Sequence, residues 1–211
     1  MKDKPLSVEE AKQMLLVVAL AIIDAEPVLS DADRALGDGD HGVGMKRGME
    51  AVIERLQSND FESIEKLFSA MGMEMMSSMG GASGAIFGTF YRSGGKAIAG
   101  AEAFGPYQLA EFLEAAAAGV MKRGGAKPGD KTMLDALVPA AERAAEVREK
   151  PLMEALEAVA DAAESGRDAS KDMVATMGRA KTLGDKSLGH PDAGAVSVAI
   201  MLRTMQQYAA T

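Results

Sequence analysis

Residues 61–84 read FESIEKLFSAMGMEMMSSMGGASG, and the apolar positions Phe61, Ile64, Leu67, Phe68, Met71, Met75 and Met79 recur at the spacing of one helix face. Asp60 stands at the capping position ahead of them. Five methionines fall between positions 71 and 79, and at this spacing they read as core filler rather than a cofactor box. The pattern breaks at Gly80-Gly81-Ala82-Ser83-Gly84, and an apolar helix is expected from about Ala85 to Ile98. A helix, a glycine-rich connector and a second helix are the unit from which the rest of the chain can be read.

Upstream, Ser7 and Glu10 form a capping box that opens a helix, and Pro27 closes it. Met45, Met49, Val52, Ile53 and Leu56 mark the next helix. Downstream, Pro106 starts a fifth, carrying Leu109, Phe112, Leu113, Ala116 and Val120 and ended by Gly124 and Gly125. A sixth is expected from about Lys131, bent at Pro139. Pro151 opens a seventh through Leu152, Leu156, Val159 and Ala163, with a bend at Gly166 before the periodicity resumes at Met173 and Met177. The eighth spans about Gly194 to Tyr208. Eight amphipathic helices without alternating strands predict an all-α fold, an antiparallel up-and-down bundle or barrel.

In that topology every second connector lies at the same end. The long glycine-rich connectors, at 37–44, 80–84, 124–130 and 184–194, are the ones between helices 1 and 2, 3 and 4, 5 and 6, and 7 and 8. They are therefore expected to converge, with helix N-termini and their partial positive charge among them.

The first of these connectors holds the chemistry. Asp33-Arg-Ala-Leu-Gly-Asp38-Gly-Asp40-His41-Gly42-Val43-Gly44 places three carboxylates and a histidine within nine residues, threaded with glycine. Asp-Gly pairs also make ordinary solvated turns. An EF-hand counted from Asp38 fails, because its fifth position is Gly42 and its twelfth is Met49. An oxygen-only cluster suits magnesium, and glycine amides suit phosphate.

Further motifs converge on the same end. Gly80–Gly84 is either a helix start capped by Ser83 or a phosphate-binding turn. Lys127-Pro-Gly-Asp-Lys-Thr-Met133 reads as a helix start with Asp130 or Thr132 as cap and Asp135 serving the first turn, while Thr132 or Met133 is placed to touch a ligand. His41 and His190, the chain's two histidines, both fall in converging loops, as core or site residues.

Composition narrows the classes. At 211 residues the chain is one domain by size, or at most two. Its longest apolar run, Met14 to Ile23, is ten residues, about half of what a bilayer needs, and no signal peptide is evident. A net charge of −8 disfavours nucleic-acid backbones and anionic membranes. Without cysteine there is no disulfide framework or thiolate chemistry, and a cytoplasmic location fits. Acyl-transfer, zinc, Walker and Rossmann spacings are all missing, which leaves phosphoryl transfer.

At these residues the chain resembles the L subunit of dihydroxyacetone kinase. The resemblance rests on Asp33-x4-Asp38-Gly-Asp40-His-Gly, Gly-Gly-Ala-Ser-Gly at 80–84, Lys-Pro-Gly-Asp-Lys-Thr-Met at 127–133, Gly178-Arg179-Ala180 and Gly-His-x-Asp-x-Gly-Ala at 189–195. It implies a single nucleotide-binding domain over residues 1–211, an eight-helix barrel with the nucleotide at one end. By position, Asp33, Asp38 and Asp40 would hold two magnesium ions. His41, Gly42, Val43, Gly44, Ala82 and Ser83 would surround the phosphates of ADP or ATP. Gly124 or Gly125, Met133, Arg179, Asp192, Ala193 and Gly194 would frame the rest of the nucleotide. Ala193 replaces the family's usual Pro, and Lys181-Thr182 its usual Ser-Tyr, both at the nucleotide's rim.

The resemblance further implies a partner K subunit that holds dihydroxyacetone, and a phosphohistidine donor, the M subunit of a sugar-phosphotransferase system, that recharges bound ADP. With no substrate domain before Thr211, the chain is expected to be half an enzyme. The alternatives are a kinase subunit for another short ketose using exchanging ATP, and a nucleotide-state sensor read by a transcription regulator.

Overall fold

The computed structural model describes residues 4–211 and contains, among them, nine α-helices and no β-sheet. The helices are α1 (Val8–Asp24), α2 (Glu26–Arg34), α3 (His41–Gln57), α4 (Ile64–Ser78), α5 (Gly81–Ala97), α6 (Pro106–Gly124), α7 (Leu134–Val147), α8 (Leu152–Ala169) and α9 (Ala193–Ala210). From α3 to α9 each packs on the next, and α1 packs on both α3 and α9. Eight helices thus close into a ring, as the periodicity predicts. The extra helix, α2, lies against α3 and α9.

Most boundaries follow the expected chemistry, and four do not. The capping box of Ser7 and Glu10 opens α1, which ends three residues before Pro27. The chain then turns by 53° and continues as α2, because Pro27 occupies a first-turn position where no N–H is required. Ser63, not Asp60, caps α4, its hydroxyl accepting the Lys66 amide at 3.2 Å. Helix α5 begins at Gly81, so Ser83 lies inside its first turn instead of capping it.

The fourth departure is at Gly166. Helix α8 runs through it to Ala169 without the expected bend, and residues 173–177 are not helical. Pro139 lies within α7 and leaves the Asp135 carbonyl without its helical donor. Gly166 packs against that carbonyl so closely that a Cβ there would overlap the oxygen. The glycine serves close helix approach, not a break. Beyond α8 the chain crosses to α9 through three short 3-10 turns, at Ser170–Asp172, Ala180–Thr182 and Gly184–Ser187.

The core is one continuous apolar cluster. At its centre the rings of Phe68 and Phe112 lie 4.5 Å apart, surrounded by Phe90, Tyr91 and Phe104. Away from the glycine-rich connectors, Leu6 and Phe104 exchange backbone hydrogen bonds of 2.8 and 2.7 Å between the segment before α1 and the α5–α6 connection. No single helix among the described residues is long and apolar enough to cross a membrane.

Candidate functional site

A cavity of about 490 Å³ opens where the α2–α3, α4–α5, α6–α7 and α8–α9 connections meet. That all four contribute to its wall agrees with the parity of the up-and-down order. One edge is acidic: Asp33, Asp38 and Asp40 each offer a carboxylate oxygen within 4.8 Å of the others.

The backbone arranges this cluster. Asp33 ends α2, where its carbonyl accepts the amides of Leu36 and Gly37 at 2.9 and 2.5 Å, and its carboxylate accepts the His41 amide at 3.2 Å. Asp40 precedes α3, yet its side chain makes no capping bond. Asp38 is exposed and pairs with Arg179 from the α8–α9 connection. Two of the three carboxylates are thus without a capping role, and all their donor atoms are oxygen, the set that a hard divalent cation takes.

The same cavity is also lined by amides. Helices α3, α5 and α9 begin at the cavity, and no side chain caps α5, so the first-turn N–H groups of Gly81, Ala82 and Ser83 face a region that suits an anion. Arg47 of α3 steadies this turn, donating to the carbonyls of Ser78, at 2.7 Å, and Met79. Part of the wall is apolar, formed by Met79, Ile86, Phe87, Met133 and Met177.

Three titratable groups in the wall are displaced from their ordinary ranges: His41, Asp192 and Lys131, the last lowered chiefly by burial. His41 is buried, with its ring 5.8 Å from that of Phe87. Burial, against the pull of Asp33, lowers its pKa to about 4, so the imidazole is neutral at pH 7. Ser197 Oγ donates to the Ala193 carbonyl at 3.1 Å and therefore accepts from His41 Nε2 at 2.8 Å. Asp192 caps α9 through the Ala195 amide at 2.8 Å. Burial raises its carboxyl pKa to about 7, with Asp135 adding to the rise and the Ala195 amide and Lys131 opposing it.

The residues singled out from the sequence divide clearly. Asp33, Asp38, Asp40, His41, Val43, Gly44, Ala82, Ser83, Met133, Arg179, Asp192, Ala193 and Gly194 all line the cavity. Gly42 does not: it faces α2, where a Cβ would overlap the Glu26 carbonyl and the Ser30 hydroxyl. Gly124 and Gly125 are exposed outside the wall, as is His190. Met79 is core and cavity wall at once. In the 127–133 motif, Asp135 accepts from Gly129 N at 2.6 Å and Thr132 N at 2.7 Å, the first-turn service expected of it. Sequence reading missed Arg47 and Lys131. Arg47 follows Gly44 by three positions, so helical spacing places it on the same face; Lys131 stands inside the 127–133 motif, where only Thr132 and Met133 are placed to touch a ligand.

An all-α ring with an acidic, amide-lined cavity at one end defines a class, the DAK2 domain, whose family model matches residues 35–207. The chain belongs to this family, and within it to the L subunits of dihydroxyacetone kinases, which makes it a kinase subunit. It is 40% identical to the ADP-binding subunit DhaL of the PEP-dependent dihydroxyacetone kinase of Escherichia coli, over 84% of this chain and 85% of that one. It is 36% identical to the corresponding subunit of kinase 1 of Listeria innocua, over 85% and 86%. A D-erythrulose kinase of Mycolicibacterium smegmatis is 34% identical over 89% of this chain, which spans 33% of that protein. Among solved structures, the dihydroxyacetone kinase from C. freundii in complex with AMP-PNP and Mg2+ superposes with a TM-score of 0.76 at 26% identity, covering 97% of this chain and 34% of that one.

Proposed function

We propose that this chain is the ADP-binding subunit of a dihydroxyacetone-type kinase, passing a phosphoryl group from a magnesium nucleotide to dihydroxyacetone held by a partner K subunit. The observation that carries the reading is the meeting of three carboxylates, oxygens within 4.8 Å, with the uncapped start of α5 at the rim of one cavity. Its volume of about 490 Å³ falls in the range of small-molecule sites, roughly 300–1,000 Å³. Asp33, Asp38 and Asp40 hold two magnesium ions, and the donor set fits them, since it is all oxygen.

Phosphoryl transfer needs positioning and charge stabilisation more than covalent help. Magnesium supplies neutralisation of the phosphate oxygens when bound. The amides at the starts of α3 and α5 orient the phosphates, with Val43, Gly44, Ala82 and Ser83 forming their surroundings. Met133, Asp192, Ala193 and Gly194 frame the nucleoside against the apolar wall. The neutral His41 holds α3 to α9 and moves no proton. Arg179, paired with Asp38 in the cavity wall, brings a cation to the same site.

The relatives matched over most of both lengths are named as subunits of PEP-dependent or PTS-dependent kinases, which supports recharging of bound ADP by a phosphohistidine partner. A related ketose as acceptor, with exchanging ATP, is the second reading, favoured by the similarity to erythrulose kinases. Non-denaturing mass spectrometry of the purified chain tests the nucleotide assignment. Retained ADP with magnesium is expected; a bare chain that also ignores added Mg-ADP overturns it.

A further inference from the structure

Lys131 is the one non-glycine residue with positive φ, +60°, among the described residues. It is also 3% exposed, a buried cation in the wall of the cavity. A side chain held in that backbone region persists only where its surroundings over-determine it. What surrounds it is the α8–α9 connection: Nζ donates to the carbonyls of Ser170, at 2.6 Å, and Met173, at 3.1 Å.

The neighbouring residue holds the same connection farther along. The Asp130 carbonyl accepts the Thr176 amide at 3.2 Å, and its carboxylate accepts the Thr176 hydroxyl at 2.7 Å. The loop that makes these bonds is itself fixed by Asp135. Beyond Thr176 come Met177, Gly178, Arg179 and Ala180, which form a wall of the cavity and carry the partner of Asp38. This stretch has no helix of its own apart from the 3-10 turn at Ala180.

We infer that Lys131 is a positioning residue for nucleotide retention: with Asp130 it clamps residues 170–176, and the clamp sets where residues 177–180 close the cavity. This rests on the cavity holding a magnesium nucleotide. Lys131 acts through backbone carbonyls of the connection and needs no contact with the nucleotide.

The test compares Lys131→Met, Lys131→Arg and the exposed Thr176→Ala with the unaltered chain. Amide exchange is read by mass spectrometry on the ligand-free protein, and release of Mg-ADP by stopped flow. Lys131→Met is expected to speed exchange at least tenfold at residues 173–180 while leaving α8 and α9 protected, and to speed release by a similar factor. Lys131→Arg, which keeps a donor for both carbonyls, restores slow release. Thr176→Ala moves both readouts the same way by about threefold, and serves if Lys131→Met does not fold. Unchanged exchange at 173–180 in the variants overturns the clamp. Faster exchange with unchanged release overturns its role in retention. If the unaltered chain takes up no Mg-ADP, the nucleotide reading fails, and the exchange readout still decides the clamp.

Discussion

The Asp33 carboxylate accepts the His41 amide across 3.2 Å, tying the end of α2 to the start of α3 over a six-residue loop. The loop carries Asp38 and Asp40, so their approach to Asp33 is set before any ligand arrives. Three like charges this close repel one another, and a cation relieves the repulsion.

Asp38→Asn and Asp40→Asn are therefore expected to weaken Mg-ADP binding at least a hundredfold without unfolding the chain. Asp40 caps nothing, and Asp38 gives up only an exposed ion pair, worth about 0–1 kcal/mol. Nucleotide titration beside circular dichroism checks both halves; unchanged affinity removes the metal assignment.

The chain by itself is expected to phosphorylate no small ketone. Under the proposed function the cavity of about 490 Å³ is taken by the nucleotide, and the acceptor is held on the partner K subunit. Assays with dihydroxyacetone, with and without a K subunit, decide this, and turnover by the isolated chain refutes it.

Chelation of the bound metal is expected to release ADP and lower the melting temperature. Four connections meet at the cavity, and ligand occupancy at about a thousand times the dissociation constant contributes about 4 kcal/mol. For a chain of this size that corresponds to roughly 8–16 °C. Calorimetry before and after chelation, with absorbance of the released nucleotide, measures it.

Asp192 makes the metal-free chain's stability depend on pH. Its folded pKa, about 7, lies above the ordinary 3.8, so between those values the folded state binds the extra proton. Acidification from pH 8 to 4 therefore favours folding through this group, by roughly 4 kcal/mol at most. His41 works in the opposite sense between about 6.5 and 4, which is why the comparison must be with a variant. Asp192→Asn keeps an acceptor for the Ala195 amide and loses the titration. Its stability relative to the unaltered chain should be highest at pH 8 and fall as pH falls; a pH-independent difference refutes the assignment.

Gly166→Ala is expected to cost about 1–3 kcal/mol, because the added methyl meets backbone atoms of Asp135 and Ala136 and no flexible side-chain end that could yield. Urea titration measures it. The neighbouring exposed Ser165→Ala, whose hydroxyl bonds only its own helix, serves as the control.

The ring of helices and the meeting of four connections were legible from periodicity and parity, because the core stripes are long and the glycine-rich breaks alternate with tight ones. Helix α2 was not legible: Glu26–Arg34 is short and mostly polar, and Pro27 reads equally as a stop or a start. Gly42, Gly124 and Gly125 share a composition with the glycines that do line the cavity, and only packing separates them. Gly166 reads as a break unless Pro139 and the carbonyl it frees are seen together. The backbone state of Lys131, which commits its ammonium to the α8–α9 connection, leaves no trace in residue order.

The ring has a seam. Helix α1 meets α9 across nearly the whole length of the chain, while the other helices of the ring from α3 onward meet near neighbours in sequence. Helix α2, which carries Asp33, and the start of α9, with Ala193 and Gly194, stand on opposite sides of that seam and both reach the cavity. Contacts so distant in sequence form late and slow the search for the native state. A ligand that needs both sides of the seam is expected to bind only once the seam has closed. It acts afterwards as a fastener, lengthening the lifetime of the closed ring while leaving the speed of closure alone.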